Sequence, residues 1–246
     1  MFDSLVIIPT YNEKENIEDI IRAILALNED FDILVVDDNS PDGTASIVQS
    51  LQQEFTDILH LLVRKEKAGL GTAYITGFKY GLSKGYDYIF EMDADFSHKP
   101  ADLIRLRKEC RDGDADVCVG SRYIEGGGVV NWPWDRLFLS RGASIYVQAI
   151  TWMPVKDSTG GFKCYKRKVL ESINLEKIEF VGYAFQIEMK YAAWSLGFKI
   201  KEIPIIFEDR VKGTSKMNLS IVSEAILGVL KMRFSKLFSS NKYKNV

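Results

Sequence analysis

The sequence predicts an α/β fold: a Rossmann-like, mainly parallel sheet flanked by helices, with amphipathic interface helices in the second half. Over residues 1–120 short apolar runs alternate with amphipathic stretches, the pattern of successive βα units. The runs are almost wholly apolar, so each strand needs cover on both faces. The loops richest in polar residues and glycine follow these runs, at the sheet edge where such folds bind ligands.

Strands are predicted at Leu5 to Ile8, Ile33 to Val36, Leu59 to Val63, Tyr88 to Met92 and Val117 to Gly120. Between them Glu15 to Leu27, Thr44 to Phe55, Thr72 to Ser83 and Pro100 to Cys110 carry apolar residues at three- and four-residue steps and are predicted as helices. The polar loops are then PTYNE, DDNSPDGT, KAGLG and DADFSH, one after each of the first four strands. Beyond them Glu125-Gly-Gly-Gly128 suits either a lid or an ordinary connection. An amphipathic helix is predicted over Asp135 to Met153, a strand over Gly160 to Tyr165, a helix over Ala184 to Ser195, a strand over Ile200 to Phe207 and a terminal helix over Asn218 to Phe238. The expected division is a main domain over residues 1–217 and a C-terminal amphipathic, basic helix and tail over 218–246.

The 246 residues are 46% hydrophobic and 27% charged, which fits one globular domain and excludes a disordered chain. No stretch of 18 residues lacks charge or clustered polar residues, so a spanning helix is not expected and membrane contact is peripheral. The N-terminus has neither a basic n-region nor a small-residue cleavage site. Three cysteines without CxxC spacing suggest neither a disulfide framework nor a zinc site, which leaves a reducing cytoplasm as the expected compartment. The net charge of -2 conceals an asymmetry: residues 1–123 hold 13 Lys+Arg against 23 Asp+Glu, and residues 124–246 hold 19 against 11. An acidic half needs a metal ion to bind a phosphorylated ligand, whereas a basic half meets an anion or anionic surface directly. Nothing in the pattern points to nucleic acid.

Asp93-Ala94-Asp95 ends an apolar strand, and its alternate carboxylates fall on one side. Hard oxygen donors at that spacing suit Mg²⁺ or Mn²⁺, which completes its shell with substrate phosphates. Two aspartates after a strand also cap helices; the company of Asp37-Asp38, PTYNE and KAGLG at the same edge favours a binding site. Ala68-Gly-Leu-Gly-Thr-Ala73 follows the third strand and has Tyr74 in place of a last glycine, so it is no dinucleotide fingerprint, and no GxxxxGK[ST] loop is present. Gly69 and Gly71 instead permit a tight turn beside a ligand or simply start a helix. The two histidines, His60 and His98, belong to no hydrolase motif; His60 reads as structural, and His98 lies close to the acidic motif.

VIIPTYNEKENI, ILVVDDNSPDGT, AGLGTAY, MDADFSHKP, GSRY, the R-x-x-x-S-R-G segment Arg136 to Gly142, DSTGGFKCYKR and EDRVKGTSK follow the order of the polyprenol-phosphate mannose synthases. The chain resembles these dolichol-phosphate-mannose-synthase-like members of glycosyltransferase family 2, with the GT-A fold, over about residues 3 to 217. The resemblance implies a metal-dependent, inverting transfer of mannose from GDP-mannose to a polyprenyl phosphate of the dolichyl or undecaprenyl type. On that resemblance Pro9, Tyr11, Glu13 and Asp38 hold the nucleoside, with Gly69, Gly71 and Ala94 beside the nucleotide sugar, and Asp93 and Asp95 engage metal and diphosphate. Ser97 stands where other members have glutamine as a further metal ligand. Arg122, Arg136 and Ser140 match positions on the acceptor side, and Arg210 and Lys216 match a loop closing over both substrates.

A phosphomonoester is already an anionic nucleophile near neutral pH, its second pKa being about 6, so a chain poor in histidine can run this reaction. Guanidinium forks suit the phosphate oxygens of both substrates. Rival readings are a related transferase with another donor, such as UDP-glucose, and a catalytically silent nucleotide-sugar binder. For the lipid, Trp132, Trp134 and Trp152 bracket an amphipathic segment with Arg136 and Arg141, as in a helix lying in a bilayer interface or packed in a core. The terminal helix has an apolar stripe, and residues 231–246 hold five basic and no acidic residues. It meets the membrane, docks on the domain or binds a small membrane subunit. Spanning helices that follow the catalytic domain in some relatives are not seen, so attachment is expected to be weaker or shared with a partner.

Overall fold

A computed structural model describes residues 2–182, 184–209, 227–234 and 242–245. Seven strands form one sheet: β1 (Ser4–Thr10), β2 (Phe31–Asp37), β3 (Leu59–Val63), β4 (Tyr88–Glu91), β5 (Val117–Ser121), β7 (Lys163–Lys166) and β8 (Ile200–Pro204), in the order β3-β2-β1-β4-β7-β5-β8. All neighbouring pairs are parallel except those of β7, which runs antiparallel to both β4 and β5. The helices are α1 (Ile17–Leu25), α2 (Thr44–Glu54), α3 (Leu70–Lys84), α4 (Asp102–Arg111), α5 (Trp134–Thr151), α6 (Arg167–Ser172) and α7 (Ala184–Ser195), and residues 227–234 are also helical.

The α/β expectation holds because consecutive strand residues face opposite layers. Leu5 and Ile7 pack with Leu34, Val36 and the α3 residues Tyr74 and Phe78, whereas Val6 and Ile8 pack with Ile33, Val35 and the α1 isoleucines. Both layers are apolar, which is why the strands show no polar alternation. Cys110, Cys118 and Cys164 are buried free thiols in these layers. His60 is structural, as expected, with Nε2 3.5 Å from the Tyr86 hydroxyl.

Two expectations in the second half need correction, and one left open is resolved. The strand expected from Gly160 begins only at Lys163, because the Gly160 carbonyl is taken by Lys190 Nζ at 2.6 Å. The run Ile200 to Phe207 is broken at Ile205: Pro204 offers no N–H, β8 ends there, and β9 (Ile206–Glu208) joins a separate parallel pair with β6 (Gly128–Val130). The glycines at 126–128 form an ordinary connection into β6, closed by the Gly127 N–H on the Ile124 carbonyl at 2.9 Å. Of the terminal segment from Asn218, residues 227–234 are helical as expected, and the boundary at 217 lies outside the described residues. Residues 242–245 dock on the domain: Tyr243 donates to Glu188 at 3.0 Å, and the Asn245 amide donates to the Ser172 carbonyl.

Beneath the carboxyl end of β4 lies a charge network without solvent access. Glu91 accepts from Lys163 Nζ and the Tyr165 hydroxyl, each at 3.0 Å, and Lys163 also donates to Gln186. A buried carboxylate stripped of its cation costs about 3–5 kcal/mol. Lys163→Met is therefore expected to lower the unfolding free energy by about that amount, measured by urea titration; a loss below about 1 kcal/mol would show that the pair is not needed.

Candidate active site

The chain order reverses between β1 and β4, and there the loops beyond the strand ends part. The opening is a cleft of about 790 Å³. Pro9, Tyr11, Glu13, Asp38, Gly69, Asp93, Ala94 and Asp95 line it, together with Arg122, Arg136 and Ser140. Most of the residues singled out in the sequence thus meet in one place. Arg210 and Lys216 lie outside the described residues.

At the nucleoside end the Asp37-Asp38 pair divides its work. Asp37 is buried and accepts from Thr10 Oγ1 at 2.7 Å and from the Ser40 amide at 2.9 Å, which ties the ends of β1 and β2 together. Asp38 faces the cleft and is held by Arg64 at 2.5 Å; Arg64 also donates to Thr72 Oγ1 at 2.7 Å. The Lys67 ammonium lies 4.3 Å from the centre of the Tyr11 ring. Glu13 accepts from Asn16 Nδ2 at 3.1 Å and starts α1 through its carbonyl. Gly69, at φ 98°, turns the chain into α3. Gly71 does not line the cleft: a Cβ there would come within 2.7 Å of the Phe185 ring, so the structure gives it a packing role in place of a ligand contact.

Asp93 and Asp95 share a wall of the cleft, Asp93 with its side chain 39% exposed. Ser97 does not reach that wall; it is buried, and its backbone N–H holds Asp95 Oδ1 at 3.1 Å. Among the described residues no group of three or more His, Cys, Asp or Glu side chains is placed to hold a metal ion. Two carboxylates nevertheless fit Mg²⁺ or Mn²⁺, which takes hard oxygen donors and fills its shell with water and substrate phosphate. His98 stacks on Phe162 with ring centres 4.8 Å apart, and its Nδ1 lies 4.0 Å from Asp93. Burial pushes its pKa down to about 4, so the ring is neutral at pH 7.

Other residues of the lining are basic and aromatic. Arg122 is clamped by Asp157 through Nε at 2.7 Å and Nη2 at 2.6 Å, and its own amide donates to the same carboxylate at 2.9 Å. Its Nη2 also reaches Thr159 Oγ1 at 2.8 Å. Arg136 lies over the Trp132 ring at 4.1 Å and donates to Asp209 at 2.9 Å. Ser140 accepts from the Tyr123 hydroxyl at 2.7 Å. Trp132 lines the cleft, beneath Arg136 and edge-on to Phe207. Arg64, Lys67 and Asp157 received no role from the sequence: the first two sit in the loop before AGLG and Asp157 in DSTGG, so only their positions signalled them.

Burial pushes the Asp157 carboxyl up, but the charge and hydrogen bonds of Arg122 outweigh it and hold the group below its ordinary 3.8. A depressed carboxyl stabilises the fold above its unfolded pKa and loses that contribution as pH falls through the folded value. Asp157→Asn is expected to cost about 3 kcal/mol at pH 7, with the gap from the natural chain narrowing below about pH 3.8 in urea titrations. A gap independent of pH would disprove the ion pair's role.

Comparison with known proteins places this cleft in a family. The model of "Glycosyl transferase family 2" matches residues 5–173. The chain is 45% identical to the polyprenol monophosphomannose synthase of Mycolicibacterium smegmatis over 92% of its length and 85% of that protein's. It is 43% identical to the undecaprenyl-phosphate mannosyltransferase of Micrococcus luteus over 92% of this chain and 91% of that one. A solved structure of glucosyl-3-phosphoglycerate synthase from Mycobacterium tuberculosis, in complex with Mn²⁺, UDP and phosphoglyceric acid, superposes with a TM-score of 0.70 at 16% identity, covering 94% of this chain and 78% of that one. That likeness bears out the GT-A type of fold, and the two relatives bear out the resemblance drawn from the motifs. The chain belongs to glycosyltransferase family 2.

Proposed function

We propose that the protein transfers mannose from GDP-mannose to a polyprenyl phosphate at a membrane surface, with inversion at the anomeric carbon. The observation that carries the reading is the cleft's mixed polarity: two carboxylates, Asp93 and Asp95, line the same opening as Arg122, Arg136, Ser140 and Trp132. The former suit a nucleotide diphosphate sugar with its cation, the latter an anionic acceptor on an apolar tail. Asp93 and Asp95 would hold Mg²⁺ or Mn²⁺, which when bound supplies positive charge beside the departing diphosphate. Pro9, Tyr11, Glu13 and Asp38 orient the nucleoside. Arg122, Arg136 and Ser140 hold the acceptor phosphate behind the sugar carbon, and no side chain has to remove a proton because the phosphate is already ionised. Arg210 and Lys216 are assigned to the same phosphates on the resemblance alone.

The lipid reading draws on α5. Trp134, Phe138 and Trp152 are 76%, 72% and 71% exposed, on or at the end of the helix that carries Arg136 and Ser140 into the cleft. No described helix is long and apolar enough to cross a membrane, so contact through this face is in the interface plane.

Radiolabelled GDP- and UDP-sugars, each offered with short-chain polyprenyl phosphate and Mg²⁺ or Mn²⁺, test the reaction. Label is expected in the extracted lipid from GDP-mannose, and Asp95→Asn should lower turnover about a hundredfold or more. Preference for another donor would move the substrate assignment, and full activity of the variant would sink the metal assignment. For the membrane, Trp134→Ser with Phe138→Ser is expected to weaken binding to anionic liposomes about tenfold or more while GDP affinity stays; unchanged liposome binding would remove this face from the interface.

A further inference from the structure

One polar group of the cleft has no part in that scheme. Gln186, the third residue of α7, lines the cleft and is 2% exposed. Its Oε1 accepts from Lys163 Nζ, which is anchored to Glu91 at 3.0 Å. An ammonium only donates, so Lys163 selects the oxygen end of the amide and turns the nitrogen end away from itself. Nε2 is buried and meets no hydrogen-bond acceptor. Leaving such a donor unpaired costs about 1–3 kcal/mol, a cost that a ligand oxygen removes.

What that oxygen belongs to follows from the neighbours. The Cβ position at Gly161 is 3.4 Å from Gln186 Nε2 and 3.9 Å from Asp93 Oδ2. A side chain at that position would crowd both groups; glycine leaves the amide, which donates, and the carboxylate, which accepts, near one another on the cleft lining. A hydroxyl does both, accepting from the one and donating to the other. An ionised phosphate oxygen accepts from the amide but has no proton to give Asp93.

We infer that Gln186 reads the sugar: its Nε2 donates to one hydroxyl oxygen of the hexose on the donor nucleotide, against Gly161 and beside Asp93, with Lys163 as the positioning residue. This rests on the glycosyltransferase reading of the cleft. A sugar that lacks the hydroxyl, or turns it the other way, leaves a buried donor unpaired, which is how a site discriminates strongly between hexoses of equal size.

Gln186→Glu tests this with little change of shape, since it keeps an oxygen for Lys163 and replaces the donor by an acceptor; Gln186→Met removes both contacts. Each chain is assayed for kcat/KM with GDP-mannose and with its 2-, 3-, 4- and 6-deoxy analogues, and for GDP affinity by calorimetry with Mg²⁺. Both variants are expected to bind GDP like the natural chain and to lose about tenfold or more in kcat/KM with GDP-mannose. With one deoxy analogue, and that one alone, natural chain and variants should converge, which a merely structural role would not produce. Equal losses on every analogue, undiminished transfer from GDP-mannose, or equally weakened GDP binding would overturn the inference. A natural chain inactive with GDP-mannose but active with another sugar would correct the donor and not this role, and the same series is then read on that donor's deoxy analogues. Inactivity with every donor defeats both.

Discussion

The cleft depends on buried charge held in pairs. Glu91 at the end of β4 and Lys163 at the start of β7 form an ion pair with no solvent access, and Tyr165 and Gln186 complete its hydrogen bonds. Next to it Lys190 donates to the carbonyls of Ser158 and Gly160, and Asp157 holds Arg122. Such groups contribute little net stability when compared with a well-packed apolar core, yet removing one partner is costly. Their geometric effect is larger: segment 157–161, which has no regular structure, is fixed from beneath by a lysine and from the side by an arginine. That segment is the wall on which Thr159, Gly160 and Gly161 meet the cleft.

The same pairing changes the meaning of the charge asymmetry. An acidic first half and a basic second half suggest two fields facing one another. In the folded chain much of the positive charge near the cleft is already matched, Arg64 by Asp38, Arg122 by Asp157 and Arg136 by Asp209. A matched arginine is held in a fixed direction and has less side-chain entropy to lose on meeting a phosphate than a solvated one. Orientation is thus set before any ligand arrives.

The first half of the fold was legible because its strands are buried on both faces and its helices have one apolar stripe. Four helices and five strands fall within a few residues of their expected places. The second half was less so. β7 is four residues long, and whether it runs parallel or antiparallel leaves no mark on its composition; β8 and β9 read as one apolar run, although Pro204 lies at their junction. Among the site residues, Asp38, Asp93 and Asp95 were legible as acidic groups closing apolar strands. Gly71 and Ser97 carried the same motif signal, but Gly71 packs against Phe185 and Ser97 is buried, differences of packing that spacing does not encode. Gln186 gave no signal, since a single amide in an apolar helix becomes meaningful only once Lys163 is beneath it and Gly161 before it.

The antiparallel strand β7 has a consequence for how the molecule is made. β4 and β5 are consecutive strands of the parallel series, yet they are not neighbours; β7, supplied from residue 163, fills the space between them. During synthesis the N-terminal strands can pair as they emerge, while β4 keeps one bare edge until more than seventy further residues have followed. An unpaired apolar edge is a template for association with other chains, and closing a long loop is slow. Insertion of β7 brings Lys163 to Glu91, so the event that seals the sheet also neutralises its buried carboxylate and raises the cleft wall. The nascent chain thus acquires a continuous sheet from β3 to β5 in one late step, before α7 and β9 supply the remaining lining of the cleft.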